Sequence, residues 1–141
     1  MARPFEWTPD HEIFLPEIDA EHRNLYRLGA ELTQALAAGA RMPKLKEMVR
    51  AAAVAVEDHF AHEERLMQEA RYMSLSWHRS QHDAARKRVT AFGDRIEAGD
   101  KEAIRELLNY MAAWMHDHVA VADRMMGASL RNRNRFKTAA A

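Results

Sequence analysis

The chain has 141 residues, no cysteine, eight histidines and equal numbers of basic and acidic side chains, 21 of each. That length suits one compact domain, and a 48% hydrophobic content supports a real core and excludes a disordered chain. Zero net charge leaves no field to attract nucleic acid, and the missing cysteine excludes a disulfide scaffold, a thiolate zinc finger, a cysteine-held iron–sulfur cluster and a cysteine nucleophile.

The first residues, Met1-Ala2-Arg3-Pro4-Phe5-Glu6-Trp7, contain no apolar signal core. No run approaches the ~20 apolar residues of a membrane helix. The expectation is a cytoplasmic protein that engages no membrane. Pro4, Pro9 and Pro16 make residues 1–17 an irregular leader. Asp19 is expected to cap a first helix, whose inner face carries Leu25, Leu28, Leu32 and Leu36 and which ends at Gly39. Pro43 opens a second helix, with Leu45, Ala52, His59 and Leu66 seven apart on one face. In the third, Leu75, His78, His82, Ala85, Val89, Phe92 and Ile96 step by 3, 4, 3, 4, 3, 4 until Gly99. The fourth starts at Asp100 and repeats the pattern through Ile104, Leu107, Met111, Trp114, His118, Val121 and Met125, with Gly127 expected to close it. The fold predicted is all-α: an up-down-up-down antiparallel four-helix bundle over residues 18–127, with the N-terminal leader before it and a basic tail, residues 128–141, after it. Arg131, Arg133, Arg135 and Lys137 read as a frayed, solvated tail.

Polar residues interrupt these inner faces at comparable depth. His59 and Glu63 are four apart on the second helix, and so are His78 and His82 on the third. His118 faces inward from the fourth helix, followed five residues later by Asp123, and His22 lies one turn before Leu25 on the first. A lone inward histidine is an ordinary core residue. Five with two acids, drawn from all four helices, are not. Buried carboxylates cost several kcal/mol unless a charge offsets them, and the inner stripes carry no lysine or arginine. Metal is the economical counter-charge. Imidazole with carboxylate suits iron, zinc, copper or nickel, and seven ligands are too many for one tetrahedral zinc. Two metal ions bridged by the carboxylates use them all. His118 and Asp123 do not fit an ideal helix, since five residues turn the chain by about 140° off register; either Asp123 reaches around, or the helix is locally distorted there, as in a π-bulge. Neither Glu-x-x-His nor HExxH occurs, so ferritin-like and zincin-like sites fail.

These stretches closely resemble the hemerythrin family, in its bacterial branch. They are Ile18-Asp19-Ala20-Glu21-His22, the run His59-Phe60-Ala61-His62-Glu63-Glu64-Arg65-Leu66-Met67, Tyr72 followed by His78-Arg79-Ser80-Gln81-His82, and Trp114-Met115-His116-Asp117-His118 continuing to Asp123. The resemblance implies two iron ions with an oxo or hydroxo bridge. His78, His82 and His118 would hold a filled iron, His22 and His59 the other, and Glu63 and Asp123 would bridge them. Dioxygen would bind reversibly at the open position of the two-histidine iron, inside a pocket of Leu25, Phe60, Trp114, Met115 and Val119. Met115 stands where the family usually has leucine. His11, His62 and His116 are expected to bind no metal, with His62 a candidate to orient a ligand. The expectation is an oxygen-binding protein for storage, delivery or sensing rather than an enzyme, with dioxygen as partner and no protein partner indicated. Two alternatives use the same ligands: an enzyme consuming peroxide or nitric oxide, and an oxygen or redox sensor.

Overall fold

A computed structural model describes residues 4–140, with side chains described to residue 133; Arg135 and Lys137 of the expected tail fall outside the described side chains. A short 3₁₀ turn, Pro9–His11, precedes α1, Pro16–Ala37. Then come α2, Met42–Glu69, α3, Leu75–Glu97, and α4, Glu102–His118. A π-helical segment, Val119–Asp123, joins α4 to α5, Arg124–Ala140, so the fourth rod is one continuous helix with a π turn at mid-length. Each rod packs on its neighbours in sequence and α1 also meets α4, which closes the bundle. The described residues contain no strand.

Periodicity explains the buried faces. Ile18, Leu25 and Leu32 on α1 recur at the seven-residue spacing of one face, and Ala85 and Phe92 do so on α3, with Ile96 one turn further on. Leu25, Leu32, Phe92 and Ile96 build a large apolar cluster with Leu45, Val49, Ile104 and Leu108 at one end of the bundle. A smaller cluster of Ile13, Ile18, Met67, Val119, Met126 and Leu130 fills the other end. Each fully buried side chain of this size contributes about 1.5–3 kcal/mol, and the polar layer between the clusters therefore sits on a rigid frame.

Chain punctuation differs from expectation at two places. Asp19 is not the cap of α1. The helix begins three residues earlier at Pro16, with Leu15 in the cap position, because proline suits a first helical turn. Asp19 lies buried in that first turn, where its Oδ1 accepts the backbone N–H of Ile13 at 2.9 Å and ties the leader to the bundle. Nor does Gly127 end the fourth rod, which runs on into α5. The glycine is there for space: a Cβ at 127 would stand 2.8 Å from the Ile13 carbonyl oxygen. The leader thus crosses bare helix backbone, and Arg131 donates to the same carbonyl. Arg133 reaches the Ala70 carbonyl at 2.7 Å, so the described part of the basic tail is docked rather than frayed. Gly39 and Gly99 do follow their helices with φ of 77° and 99°, the left-handed turn expected of them.

Candidate metal centre

All seven residues singled out from the spacing meet in the layer between the apolar clusters, and all are buried. The Nε2 atoms of His78, His82 and His118 converge, with His118 standing 3.1 Å from His78 and 3.2 Å from His82. Asp123 Oδ1 lies 3.1 Å from His78 and 3.0 Å from His118. Glu63 Oε1 lies 3.3 Å from His78 and 3.1 Å from His82. The opposite oxygens of the same two carboxylates face the other pair: Asp123 Oδ2 is 3.1 Å from His22, and Glu63 Oε2 is 3.4 Å from His22 and 3.1 Å from His59. Each carboxylate therefore presents one oxygen to each histidine group, which is how a bridge between two cations is built.

The spacings suit metal better than hydrogen bonding. Neighbouring corners of an octahedron with bonds of about 2.1 Å stand about 3.0 Å apart. His22 Nε2, Glu63 Oε2 and both oxygens of Asp123 lack any partner in hydrogen-bonding geometry despite these short contacts. Buried polar atoms are almost always satisfied, and these aim at common centres rather than at one another, so the residues could hold cations there. Two such groups form, one of Glu63, His78, His82, His118 and Asp123 and one of His22, His59, Glu63 and Asp123. The first offers five donors and the second four. A solvent bridge would complete the first at six and leave one position of the second open.

The π turn explains Asp123. A pair five apart needs the i→i+5 closure of a π segment to share a face, and Val119–Asp123 supplies it directly after His118. The 140° misfit of the sequence pattern is absorbed there.

The outer side of the imidazoles is organised around the bundle. His59 Nδ1 donates to Glu21 Oε1 at 2.7 Å, His82 Nδ1 to Glu64 Oε2 at 2.7 Å and His118 Nδ1 to Gln81 Oε1 at 2.7 Å. Glu21 precedes His22, Glu64 follows Glu63 and Gln81 precedes His82. Each of the first three helices thus uses the neighbour of its own inward ligand to hold an imidazole on the next helix. With the proton fixed on Nδ1, the Nε2 lone pair points inward. The centre then consists of acceptors facing acceptors, which cations must offset. Sequence reasoning assigned no role to Glu21, Glu64 or Gln81. Their signal was adjacency to a ligand, which sends a side chain sideways toward the next helix.

Without cations, protons carry the compensating charge. Burial alone would lower the pKa of His59, but the Glu63 charge and the Glu21 and Glu63 contacts outweigh it and push it up to about 10. His78, likewise lowered by burial, is pushed up to about 9 by Asp123 and Glu63. Burial raises the carboxyl of Glu63 and that of Asp123, yet the surrounding imidazoles hold both below the usual carboxylate range. For His118 burial prevails and its pKa falls.

Phe60 stacks on the His82 ring at 4.1 Å and Trp114 on the His118 ring at 4.4 Å, covering the three-histidine group. Leu25, Phe60, Trp114, Met115 and Val119, the five expected pocket residues, line one small cavity together with Val56 and Met111. Both imidazoles of the two-histidine group reach it, with His118 and Asp123 on its rim. Its free volume is about 10 Å³, the threshold for one water-sized molecule.

The remaining histidines stay out of both donor groups. His62 Nδ1 bonds the second oxygen of Glu21 at 2.6 Å, so it steadies the residue that holds His59. His11 accepts the Thr8 N–H at Nδ1 and packs on Trp7 and Tyr26. His116 is exposed.

Residues 14–130 match the sequence model of the Hemerythrin HHE cation binding domain, which spans the bundle and all seven inward residues. The chain belongs to the hemerythrin family. Among its relatives, it is 27% identical over 124 residues to a bacteriohemerythrin of Clostridium acetobutylicum, covering 85% of this chain and 96% of that protein. It is 29% identical over 113 residues to a bacteriohemerythrin of Stenotrophomonas maltophilia, covering 80% and 72%. The myohemerythrin of Theromyzon tessulatum is 23% identical over 123 residues, covering 87% and 91%. The family description names a cation-binding domain, and the layer of imidazoles and carboxylates could hold metal. No helix among the described residues is long and apolar enough to cross a membrane.

Proposed function

We propose that this hemerythrin-family protein binds dioxygen reversibly at a non-haem di-iron centre. His78, His82, His118, Glu63 and Asp123 would hold one iron, and His22 and His59 with the same two carboxylates the other. The observation that carries this reading is the division of donors into five and four around shared carboxylates, with a small, mainly apolar cavity touching both imidazoles of the four-donor group. When bound, a di-iron centre supplies electrons and an open coordination position to dioxygen, beside an oxo or hydroxo bridge.

The chain's own residues do the rest. Neutral imidazoles favour the lower oxidation state of iron more than a carboxylate-rich shell would, which supports release as well as uptake. Leu25, Phe60, Trp114, Met115 and Val119 keep water from the ligand. Glu21 fixes the ring of His59 on the open side. In this reading His22, His59, His118 and Asp123, the titratable side chains that reach the cavity, would all be metal donors, which supports a binding protein over a peroxide- or nitric-oxide-consuming enzyme. The reading names dioxygen as the partner and the cytoplasm as the setting, with storage, delivery and sensing as its uses. The test is to reduce the iron-loaded protein anaerobically, then admit and remove dioxygen while recording the visible spectrum. A charge-transfer band that forms and vanishes over repeated cycles is expected. Irreversible bleaching or no band overturns the proposal.

A further inference from the structure

The outer partners of the imidazoles differ in the charge they bring. Gln81, which holds His118, is neutral. Glu21, which holds His59, makes ion-pair contacts with His59 and His62 and with no lysine or arginine among the described residues. Glu64, which holds His82, is paired with Arg86 of α3. The guanidinium Nη1 stands 2.9 Å from Glu64 Oε2, the same oxygen that accepts the His82 Nδ1–H. Of the three imidazoles, His59 alone faces a carboxylate with no guanidinium beside it. We propose that Arg86 is a positioning residue that keeps the two metal positions electrically unequal, so that a loaded centre gives up its first electron from the two-histidine position. The inference rests on the di-iron reading above and adds which position oxidises first and which residue decides it.

Two contacts bring Arg86 to bear on His82. Through Glu64 it acts on the edge of the ring. A carboxylate that accepts an imidazole N–H makes the ring a stronger donor, and a guanidinium on the same oxygen draws that charge away. Through Phe60 it acts on the face of the ring. The guanidinium carbon lies 5.3 Å from the centre of the Phe60 ring, within cation–π range, and Phe60 stacks on His82 at 4.1 Å with the planes 8° apart. Arg86, Phe60 and His82 thus form three layers, and Glu64 ties the outermost to the innermost. Arg86 also meets Glu57 and Asp83. Both of those are more than half exposed, whereas Glu64 is 15% exposed. Water screens the two outer pairs, so the charge of the guanidinium counts most at Glu64. Arg79, three residues before His82, places a second cation 3.7 Å from the other oxygen of Glu64.

Negative charge passed to a ligand favours ferric over ferrous iron, and the potential of an iron site follows the charge and hydrogen bonding around its ligands. His59 receives the charge of Glu21 undiminished. The three-histidine position receives none from Gln81 and a reduced share from Glu64. The electron held least strongly is therefore the one at the two-histidine position, whose imidazoles both reach the small cavity. The step is a one-electron oxidation. Ferrous iron there becomes ferric, the electron passes to an outer acceptor such as ferricyanide, which becomes ferrocyanide, and no bond of the protein breaks.

The test is a stepwise titration of the reduced, iron-loaded protein with ferricyanide under anaerobic conditions. Electron paramagnetic resonance counts the one-electron-oxidised form at half-oxidation, and metal analysis confirms two irons per chain. Arg86→Met keeps an unbranched side chain over Phe60 and removes the charge. Glu64 then acts on His82 at full strength and the two positions draw together. The equilibrium constant for forming the one-electron-oxidised form falls about tenfold, a loss of about 59 mV between the two steps. Arg86→Lys keeps most of the wild-type separation. Glu64→Gln retains an acceptor for the His82 N–H but not its charge, and widens the separation; it decides the outcome if Arg86→Met does not load two irons. An unchanged or wider separation in Arg86→Met, a narrower or unchanged one in Glu64→Gln, or Arg86→Lys behaving as Arg86→Met overturns the proposal. So does wild-type protein that shows no one-electron-oxidised form. Wild-type protein that oxidises in two separated steps yet takes up no dioxygen reversibly overturns the dioxygen reading, while the variants still decide the role of Arg86.

Discussion

Removing the metal and then raising the pH should separate the two forms of the protein progressively. In the metal-free fold, His59 and His78 carry protons that stand in for cations, with pKa values pushed up to about 10 and about 9 from an ordinary 6.5. A group whose pKa is raised on folding stabilises the fold fully below its unfolded value and loses that contribution as the pH climbs through the folded one. The window is therefore about pH 6.5 to 9, and within it each group costs the metal-free fold about 1.4 kcal/mol per pH unit. Together they remove roughly 3 kcal/mol per unit. At about 2–4 °C per kcal/mol for a domain near this size, the metal-free melting temperature falls by roughly 6–12 °C per pH unit. Glu63 and Asp123 do not offset this. Their pKa values are lowered on folding, so their contribution is present above the unfolded carboxylate range and is lost only in acid. In the loaded protein cations occupy the place of those protons, and the melting temperature stays nearly level across the window. The assay is a set of thermal melts by circular dichroism or calorimetry on chelator-treated and loaded protein, at unit steps from about pH 6 to 9. A gap that widens with pH is expected. Two parallel curves would refute the claim that protons and metal compete for one buried acceptor cluster.

Three other outcomes follow from named contacts. His59→Ala removes one donor of the four-donor group and should lower the iron content from two per chain toward one, whereas His11→Ala, whose ring is held by Thr8 outside both donor groups, should leave it unchanged by metal analysis. Glu64→Ala frees the outer nitrogen of His82 and should weaken metal binding by about 10- to 100-fold in chelator competition, while Glu57→Ala, which touches Arg86 but no ligand, should not. Asp19→Ala orphans the buried Ile13 N–H and should cost about 1–3 kcal/mol in denaturant unfolding of the metal-free protein, with iron stoichiometry at full value.

The bundle was legible because helical period and burial are the same fact seen twice: positions spaced 3 and 4 apart must share a face. The donors were legible for the same reason, His78 and His82 most plainly, since they replace apolar residues on a stripe that is otherwise regular. Asp123 was legible as a misfit, and the π turn resolves it. Other features had no periodic signature. Glycine marks both helix ends and close backbone approach, so Gly127 looked like Gly39 and Gly99 although it makes room for the Ile13 carbonyl. An acid near a helix start reads as a cap, and nothing local distinguishes Asp19, whose partner lies in the leader. Glu21, Glu64 and Gln81 sit one position off the inner face and look like ordinary surface residues until the neighbouring helix is in place.

The central claim is a two-metal centre bridged by Glu63 and Asp123. Crystals of the iron-loaded protein measured at the iron absorption edge test it most directly. Two anomalous peaks are predicted, one among His78, His82 and His118 and one between His22 and His59, with an oxygen of each carboxylate beside each peak. A single peak, or iron lodged away from these five imidazoles, would contradict the account.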